Sequence, residues 1–268
     1  MPTPFKTVSH SFSIESFAYP FERNFSSKFT FDGELHDFIE LVFIQSGKVE
    51  VVKENKIYLA EGGTLLFHAP MEFHKIKSAE GTSPKVFNLS MKINGCLPDG
   101  IYDNLFLLDI RSEELFLSAF NKAREFLEEN AGDSVGEFAA ASLRCLILDI
   151  CKKPYTRQKF LSTPSALTYK AVVETMEREI YSNISLDDIA SRVNISPSYL
   201  KTLFRKYCDL SPKEYYRKLR LREAIRLLQD GISVSKIAEI MNFSYPNHFT
   251  EFFKNQTGVS PSKYRTRL

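Results

Sequence analysis

The stretch that decides the fold is Ile189-Ala190-Ser191-Arg192-Val193-Asn194-Ile195-Ser196, which returns 48 residues later as Ile237-Ala238-Glu239-Ile240-Met241-Asn242-Phe243-Ser244. Further along, Ser211-Pro212 before Tyr215 returns 49 residues later as Ser260-Pro261 before Tyr264. Each copy predicts a short helix, a tight turn, a second helix and a capped exit. We therefore expect two helix-turn-helix units in the last hundred residues, a form whose second helix can enter a groove of DNA.

The turn of each unit is predicted from local chemistry. Asn194 and Asn242 stand at the same turn position of the two copies, and asparagine tolerates the left-handed conformation better than most residues. Ser196-Pro197 follows the first turn. Proline at a first helical position loses no intrahelical hydrogen bond, so this pair caps and starts the second helix.

The second helix of each unit carries candidate DNA contacts on its outward positions. In the first copy these are Ser198, Lys201, Thr202, Arg205 and Lys206, and in the second they are Asn247, His248, Thr250, Glu251 and Lys254. Polar side chains near a helix start reach base edges, and cations further along neutralise phosphates. Asn247 suits adenine and Glu251 suits a cytosine amino group, whereas His248 suits a helix-start or phosphate contact more than base reading. A solvated helix face would look similar, and the repeated context favours DNA reading.

The charge of the chain is divided unevenly. Residues 165–268 contain 17 Lys and Arg against 11 Asp and Glu, and residues 1–164 contain 18 against 22. A local basic excess favours a polyanionic partner. The four cysteines lie far apart without a Cys-x-x-Cys pair, which argues against a zinc or redox motif and predicts small buried residues. No run of about 18 apolar residues occurs, so we expect a soluble cytoplasmic protein without a membrane partner.

The first 93 residues predict short strands separated by turn residues. The expected strands are residues 36–44, 48–53, 57–60, 64–68, 74–77 and 85–93, and their even spacing indicates a small barrel or sandwich. The first 25 residues contain six aromatic side chains without a clear period, which predicts either an arm over a pocket or a capping strand. Residues 115–127 and 143–151 then predict two amphipathic helices that pack within the chain or on another subunit.

The repeat carries a specific family resemblance over residues 166–268. Ile237-Ala238, Asn242-Phe243-Ser244, Gly258-Val259-Ser260-Pro261 and Tyr264-Arg265 resemble the DNA-binding domain of AraC/XylS regulators. Three residues depart from that pattern. Asn242 stands where the family favours glycine, Asp209 stands where the first unit often ends in glycine, and Glu251 stands where a basic or small residue is common.

The front of the chain is similar to the cupin-type domain of the same regulators. Glu40, Gly47, Gly63, Pro70 and His74 carry this resemblance. It implies an α+β fold in which a cupin-like barrel with an N-terminal arm occupies residues 1–110, dimerisation helices occupy 111–152, a linker occupies 153–165 and the DNA-binding domain occupies 166–268. The expected partners are double-stranded DNA, a small-molecule effector, a second copy of the chain and, as a candidate, RNA polymerase.

The barrel offers candidate ligand-binding residues, which are His36, Phe38, Glu40, Phe67 and His74. Aromatic rings beside a histidine or carboxylate suit a sugar or another small metabolite, although the aromatic residues of a small barrel usually fill its core. Metal-binding cupins carry two histidines and a carboxylate on the corresponding strand, and here the His-x-His pair is incomplete. We therefore expect no metal, no cofactor and no catalytic residues in a ligand-responsive transcription regulator of the activator type. The alternatives are a cupin-type metalloenzyme and a barrel that serves only dimerisation.

Overall fold

The computed structural model describes residues 11–31, 33–34, 36–128, 131–153 and 162–266. The chain divides into an N-terminal unit, made of Met1–Lys53 and Ile57–Leu161, and a C-terminal unit, made of Ser162–Leu268 together with Glu54–Lys56. The N-terminal unit contains strands followed by two helices, and the described elements of the C-terminal unit from Ser162 onward are helices. The predicted mixture of a β-rich front and an all-helical end is confirmed. Three parts of the sequence considered above lie outside the described residues: Phe5, which is the first of the six N-terminal aromatic residues, Arg267 at the basic end of the repeated half, and most of the predicted linker.

The described strands of the N-terminal unit form two sheets. They are β1 Phe12–Asn24, β2 Ile39–Ser46, β3 Lys48–Lys53, β4 Lys56–Glu61, β5 Thr64–His68, β6 His74–Ser78, β7 Lys85–Gly95 and β8 Phe106–Leu107. One sheet has the order β1-β7-β2-β5-β8 and the other has the order β4-β3-β6. Six of these strands lie where the sequence predicted strands, although β2 begins at Ile39 rather than His36 because the chain bends at Asp37 and Phe38.

Strand β1 resolves the two alternatives for the aromatic N-terminal segment, because from Phe12 onward it is a strand paired antiparallel with β7. Register shifts interrupt this pairing between Ile14 and Ser16 and between Ala18 and Phe21, and Tyr19 has a φ of 50°. Each bulge places two residues opposite one and changes which side chains face inward. The alternation of period two is lost, which explains why the sequence pattern did not show this strand.

Two helices cover one face of the five-stranded sheet. They are α1 Ile110–Phe126 and α2 Asp133–Ile150. Phe43 and Phe87 of the sheet pack in one buried cluster with Phe116 of α1 and with the apolar stripe of α2. Where the helices touch, a Cβ on Gly136 would lie 2.8 Å from the Phe126 ring, so this helix pair needs a residue without a side chain. A second cluster, which includes Val42, Ile44, Val51, Tyr58 and Leu66, fills the other face.

Seven described helices build the C-terminal unit. They are α3 Pro164–Arg178, α4 Leu186–Arg192, α5 Pro197–Tyr207, α6 Pro212–Gln229, α7 Val234–Ile240, α8 Pro246–Thr257 and α9 Pro261–Arg265. A serine or threonine hydroxyl accepts a backbone N–H at the start of every one except α8. Five of the seven begin with proline in the first turn. Short helices depend on such caps, since each satisfies a donor that the helix cannot.

Two of the four cysteines are exposed, contrary to the sequence prediction. Cys208 is buried, but Cys96 and Cys145 are exposed, so the expectation of four buried cysteines was wrong for these two. Within the described ranges, no helix has the length and apolar character that a membrane crossing requires.

Candidate DNA interface and ligand cavity

The first helix-turn-helix unit consists of α4 and α5. A capping box starts α4, since the Ser185 hydroxyl accepts the Asp188 N–H and the Asp188 carboxylate accepts the Ser185 N–H. Asn194 makes the turn with a φ of 56°, as the sequence predicted. The Ser196 hydroxyl then accepts the Tyr199 N–H at 3.1 Å and starts α5. The second unit has the same order of elements in α7 and α8. The Ser233 hydroxyl accepts the Lys236 N–H at the start of α7, and Asn242 has a φ of 55° at the turn, whereas α8 begins without a side-chain cap.

The exits of the two units also correspond. Asp209 follows α5 with a φ of 57°, and Gly258 follows α8 with a φ of 77°. The left-handed conformation that glycine adopts without strain in the second copy is therefore adopted by aspartate in the first. The same backbone path thus leads into both Ser211 and Ser260, each of which caps the next helix.

One face of each second helix is buried in the C-terminal unit. Leu200, Leu203, Phe204 and Tyr207 anchor α5, and Phe249 and Phe253 anchor α8. Phe252 is half-buried and packs on Phe243, with ring centroids 5.3 Å apart. These anchors fix which side chains of the two helices face water.

The opposite faces hold the side chains that the sequence nominated. Ser198, Lys201, Thr202, Arg205 and Lys206 are exposed on α5, and Asn247, His248, Glu251 and Lys254 are exposed on α8, with Thr250 half-buried. Thr202 and Thr250 donate to the carbonyls of Ser198 and Pro246, both at 3.1 Å. Lys206 donates to the Ser165 hydroxyl at 2.8 Å and lies 4.8 Å from the centre of the Tyr207 ring. Two polar, partly basic surfaces on second helices are available for a polyanion.

Helix α6 contains a buried arginine between the two units. Arg220 donates to the Asn183 side chain at 2.9 Å and to the Met241 carbonyl, and its guanidinium lies 4.6 Å from the centre of the Phe243 ring. Burial lowers the pKa of Arg220. Arg220 ties the loop before α4 to the turn after α7, inside one domain.

The N-terminal unit contains a cavity of about 560 Å³. Its wall is largely aromatic, from Tyr19, Phe21, Phe25, Phe29, Phe31 and Phe38. Its polar side is made by Glu34, His36, Glu40, His68, His74, Asn88 and Ser90. A concave, mostly apolar space with a few converging polar groups is the usual form of a small-molecule site.

Four of the five nominated ligand-binding residues line this cavity, which are His36, Phe38, Glu40 and His74. Phe38 stacks on the His36 ring, with centroids 3.7 Å apart. Phe67 is not among the lining residues, because side chains alternate along β5. Leu66 and His68 face one side of the strand, and Phe67 faces the helices and packs edge-to-face on Phe106 at 6.0 Å.

Backbone pairing sets the positions of the polar groups. Glu34 and His74 exchange backbone hydrogen bonds of 3.0 and 3.2 Å, and Glu40 lies in β2. Gly33, with a φ of 84°, allows this approach, because a Cβ there would lie 2.6 Å from the Phe73 ring. The His74 ring then stacks on His68 with centroids 3.8 Å apart.

The electrostatics of this polar side are dominated by His74 and the two carboxylates. Its Nε2 lies 2.9 Å from Glu40 Oε2 and 3.6 Å from Glu34 Oε1. Burial lowers the pKa of His74, but hydrogen bonds to Glu34 and Glu40 outweigh burial and raise it to about 9. Burial and the neighbouring His74 lower the pKa of His36, and burial lowers that of His68. The hydrogen bond with His74 lowers the pKa of Glu34.

The sequence reasoning missed Glu34, His68, Asn88 and Ser90. For Asn88 and Ser90 a signal existed, because Asn88-Leu89-Ser90 alternates polar and apolar residues within β7, which places both polar side chains on one face. Asn88 donates to Glu40 from that face. For Glu34, the spacing of two residues before His36 was the available signal.

Sequence comparison with known proteins identifies relatives of the helical C-terminal unit. Residues 189–267 match the family model described as a helix-turn-helix domain. The Msm operon regulatory protein of Streptococcus mutans is 36% identical over 104 residues, which are 37% of this chain and 37% of that protein. The chain thus spans little more than a third of that relative's length in the match. The transcriptional activator RhaS of Pectobacterium carotovorum is 23% identical over 251 residues, or 88% of each chain.

A solved AraC-type transcriptional regulator from Chromobacterium violaceum is 34% identical over 38% of this chain and 93% of that chain, with a TM-score of 0.36. The sequence matches place a helix-turn-helix domain of the kind found in AraC-type transcriptional regulators in the C-terminal unit, within residues 189–267. Its relatives are named as transcriptional regulators rather than enzymes, so the metalloenzyme alternative is not carried further.

Proposed function

We propose that this protein is a sequence-specific DNA-binding regulator of transcription whose N-terminal domain binds a small-molecule effector. The observation that carries the DNA proposal is the pair of helix-turn-helix units whose second helices keep their polar faces exposed. In this proposal residues 1–110 form a cupin-like ligand-binding barrel, residues 111–152 dimerise the protein, residues 153–165 link the domains and residues 166–268 bind DNA.

Helices α5 and α8, called the reading helices below, are proposed to recognise different DNA sequences. Their buried frameworks correspond, but Ser198, Lys201 and Thr202 of α5 are replaced in α8 by Asn247, His248 and Glu251. Asn247 suits bidentate pairing with adenine, and Glu251 suits the amino group of cytosine. Lys201, Arg205, Lys206 and Lys254 supply charge for phosphates. Each monomer then binds a site without internal two-fold symmetry.

The DNA proposal is tested by titrating the full chain with DNA from upstream of its own gene over a series of salt concentrations. The logarithm of the association constant should fall linearly with the logarithm of salt. Lys201→Ala should weaken binding and reduce that slope by about one. Lys236→Ala is the matched control, since this exposed lysine of α7 pairs with Glu239 away from the reading helix. Affinity that is independent of salt, or equal losses in both variants, contradicts the proposal.

The effector is proposed to bind in the aromatic cavity, with His36, Glu40 and His74 orienting it and Phe38 covering the His36 ring. A panel of sugars and other metabolites tested by thermal unfolding checks this. A ligand at 100 times its dissociation constant should add about 2.7 kcal/mol of stability. Glu40→Gln should remove the shift, because glutamine keeps the size of the side chain and loses the carboxylate; the shift is measured against the melting temperature of the unliganded variant. A panel without any shift favours a domain used only for dimerisation.

Dimerisation is proposed to use the outward face of α2. That face keeps Phe138 52% exposed and also presents Ala141 and Cys145, although the rest of the apolar stripe packs on the sheet. Phe138→Ser should shift the protein toward monomer in sedimentation equilibrium, whereas Glu137→Ser on the same helix should not. A wild-type protein that sediments as a monomer at all concentrations removes this part of the proposal.

Activation is proposed because RhaS, named as an activator, aligns with 88% of this chain. An activator bound beside a promoter has RNA polymerase as its partner. Transcription in vitro with purified polymerase tests this, since transcript yield should rise with the regulator. A fall in yield identifies a repressor.

A further inference from the structure

The polar side of the cavity brings four metal-ligating side chains to one point. Glu34, His36, Glu40 and His74 each offer one donor atom, and these atoms lie within 4.8 Å of one another. Glu34 lies in an isolated β-bridge, His36 lies between that bridge and β2, Glu40 lies in β2, and His74 starts β6. Because β2 and β6 belong to different sheets, only the folded N-terminal unit assembles the group.

Hydrogen bonds to backbone carbonyls orient the rings of His36 and His74 so that Nε2 of each faces the Glu34 and Glu40 carboxylates. His36 Nδ1 lies 3.0 Å from the Phe38 carbonyl and His74 Nδ1 lies 3.2 Å from the Glu72 carbonyl. A carbonyl only accepts, so each Nδ1 carries the proton and each Nε2 points toward the carboxylates. A ligating histidine is usually oriented in this way, with its second nitrogen donating to a backbone carbonyl.

The group has more acceptors than donors. The His36 side chain is only 10% exposed, and its Nε2 is buried without a hydrogen-bond partner among the described residues. Asn88 Oδ1 and Ser90 Oγ are likewise buried beside it without a partner in that part of the chain. The side-chain amide N–H of Asn88 donates its hydrogen bond to Glu40. The two carboxylates outnumber the one histidine, His74, that pairs closely with them, and with the unpartnered acceptor atoms beside them they call for a ligand that brings positive charge.

The spacing of the donor atoms suits an ion rather than a larger cation. His74 Nε2 lies 2.9 Å from Glu40 Oε2 and 3.6 Å from Glu34 Oε1, and His36 Nε2 lies 3.8 and 4.0 Å from Glu34 Oε1 and Glu40 Oε2. Four ligands at about 2.1 Å around one ion lie about 3.4 Å from one another in a tetrahedron. Because no two of the four donor atoms lie more than 4.8 Å apart, modest side-chain rotations bring all four around one centre. An organic ammonium group needs longer distances, about 2.8 Å to each acceptor.

We propose that Glu34, His36, Glu40 and His74 bind one divalent first-row transition-metal ion, with zinc as the representative. Two imidazoles and two carboxylates suit such ions, whereas magnesium and calcium prefer oxygen ligands alone. The ion displaces the proton that His74 Nε2 holds against Glu40 and releases it to solvent, and two carboxylates and two neutral imidazoles around a divalent ion then give a neutral centre. The ion would form the polar end of the cavity in which the proposed function places an effector, and the link to DNA binding rests on that function.

The test is calorimetric titration of the full chain, freed of metal by a chelator, with zinc chloride. One equivalent should bind, and magnesium chloride should give no heat of binding. His36→Ala and Glu34→Gln should each weaken zinc binding by about 100-fold or more, since losing even an outer partner of a ligand costs about 10–100-fold. Glu34 is half-exposed, so its variant keeps the fold if the buried histidine variant does not. His248→Ala, which removes an exposed histidine of α8, is the control and should bind zinc as the wild type does.

Absence of saturable zinc binding overturns the proposal, and so does binding that persists unchanged in both site variants. Unfolding of the same metal-free preparation provides a second readout, because one equivalent of zinc should raise the melting temperature of the wild type and not that of Glu34→Gln. The DNA titration described above is independent of this site. A chain that binds DNA without binding zinc refutes the metal site alone, and a chain that binds zinc without binding DNA refutes the proposed function alone.

Discussion

Replacement of Arg220 by methionine should destabilise the C-terminal unit and weaken its DNA binding. Arg220 is 9% exposed and contacts both helix-turn-helix units through Asn183, the Met241 carbonyl and the Phe243 ring. Methionine keeps most of the stem of the side chain, so the change isolates the guanidinium. The expected loss comes from contacts between the units and not from a cavity.

The magnitude follows from these contacts. Met241 is fully buried, and leaving its carbonyl without a donor costs about 1–3 kcal/mol. Loss of the cation from the Phe243 ring costs about 1–2 kcal/mol at a mostly desolvated site. Asn183 is exposed, so water replaces its bond at little cost. Release from the cost of burying a charge acts in the opposite direction. A net loss of about 2 kcal/mol is expected.

The assay is urea unfolding of the full chain followed by far-UV circular dichroism. Arg217→Met is the matched control, because it removes the same charge from an exposed position of the same helix. Arg220→Lys should fall between the two methionine variants, since one ammonium group cannot reach both partners. An unfolding midpoint of Arg220→Met equal to that of Arg217→Met would refute the reasoning.

Three other perturbations test the packing and the caps. Asn242→Ala should cost about 1 kcal/mol because alanine disfavours a φ of 55°, whereas Asn242→Gly should be nearly neutral; thermal melting of both variants checks this. Gly136→Val should cost about 2 kcal/mol by forcing a side chain into the Phe126 ring, and Gly132→Ala, at the open start of α2, should unfold with nearly the wild-type urea midpoint. Hydrogen bonds from Ser211 lower the pKa of Glu214 below its ordinary 4.5, so its stabilisation is present above that pH and is lost as the pH falls through the lowered value. The advantage of the wild type over Glu214→Gln in melting temperature should therefore shrink between about pH 5 and about pH 3, and a constant difference contradicts this assignment.

The C-terminal unit could be predicted closely because its determinants are local. A serine cap, a proline in the first turn and an asparagine at a left-handed turn act within a few residues, and the repeat states the same plan twice. Strand β1 could not be predicted in the same way. Its bulges break the alternation that a strand pattern depends on, and its pairing with β7 joins residues more than 60 positions apart.

The polar residues that line the cavity could be predicted from the sequence only in part. His36, Glu40 and His74 were nominated from their spacing, but Glu34, His68, Asn88 and Ser90 join them only because β2, β5, β6 and β7 meet there. Phe67 lies outside the cavity for the same reason, since the face of β5 that turns to the helices is set by packing.

The sequence by itself determined the repeated helical plan, its caps and turns, and the outward residues of both reading helices. Only the tertiary structure decided that Arg220 lies inside between the units, that the aromatic N-terminal segment is a strand, and which polar groups converge in the cavity. Caps and turns depend on contacts between neighbours in the chain, whereas burial and convergence depend on residues that are distant in sequence and adjacent only after folding.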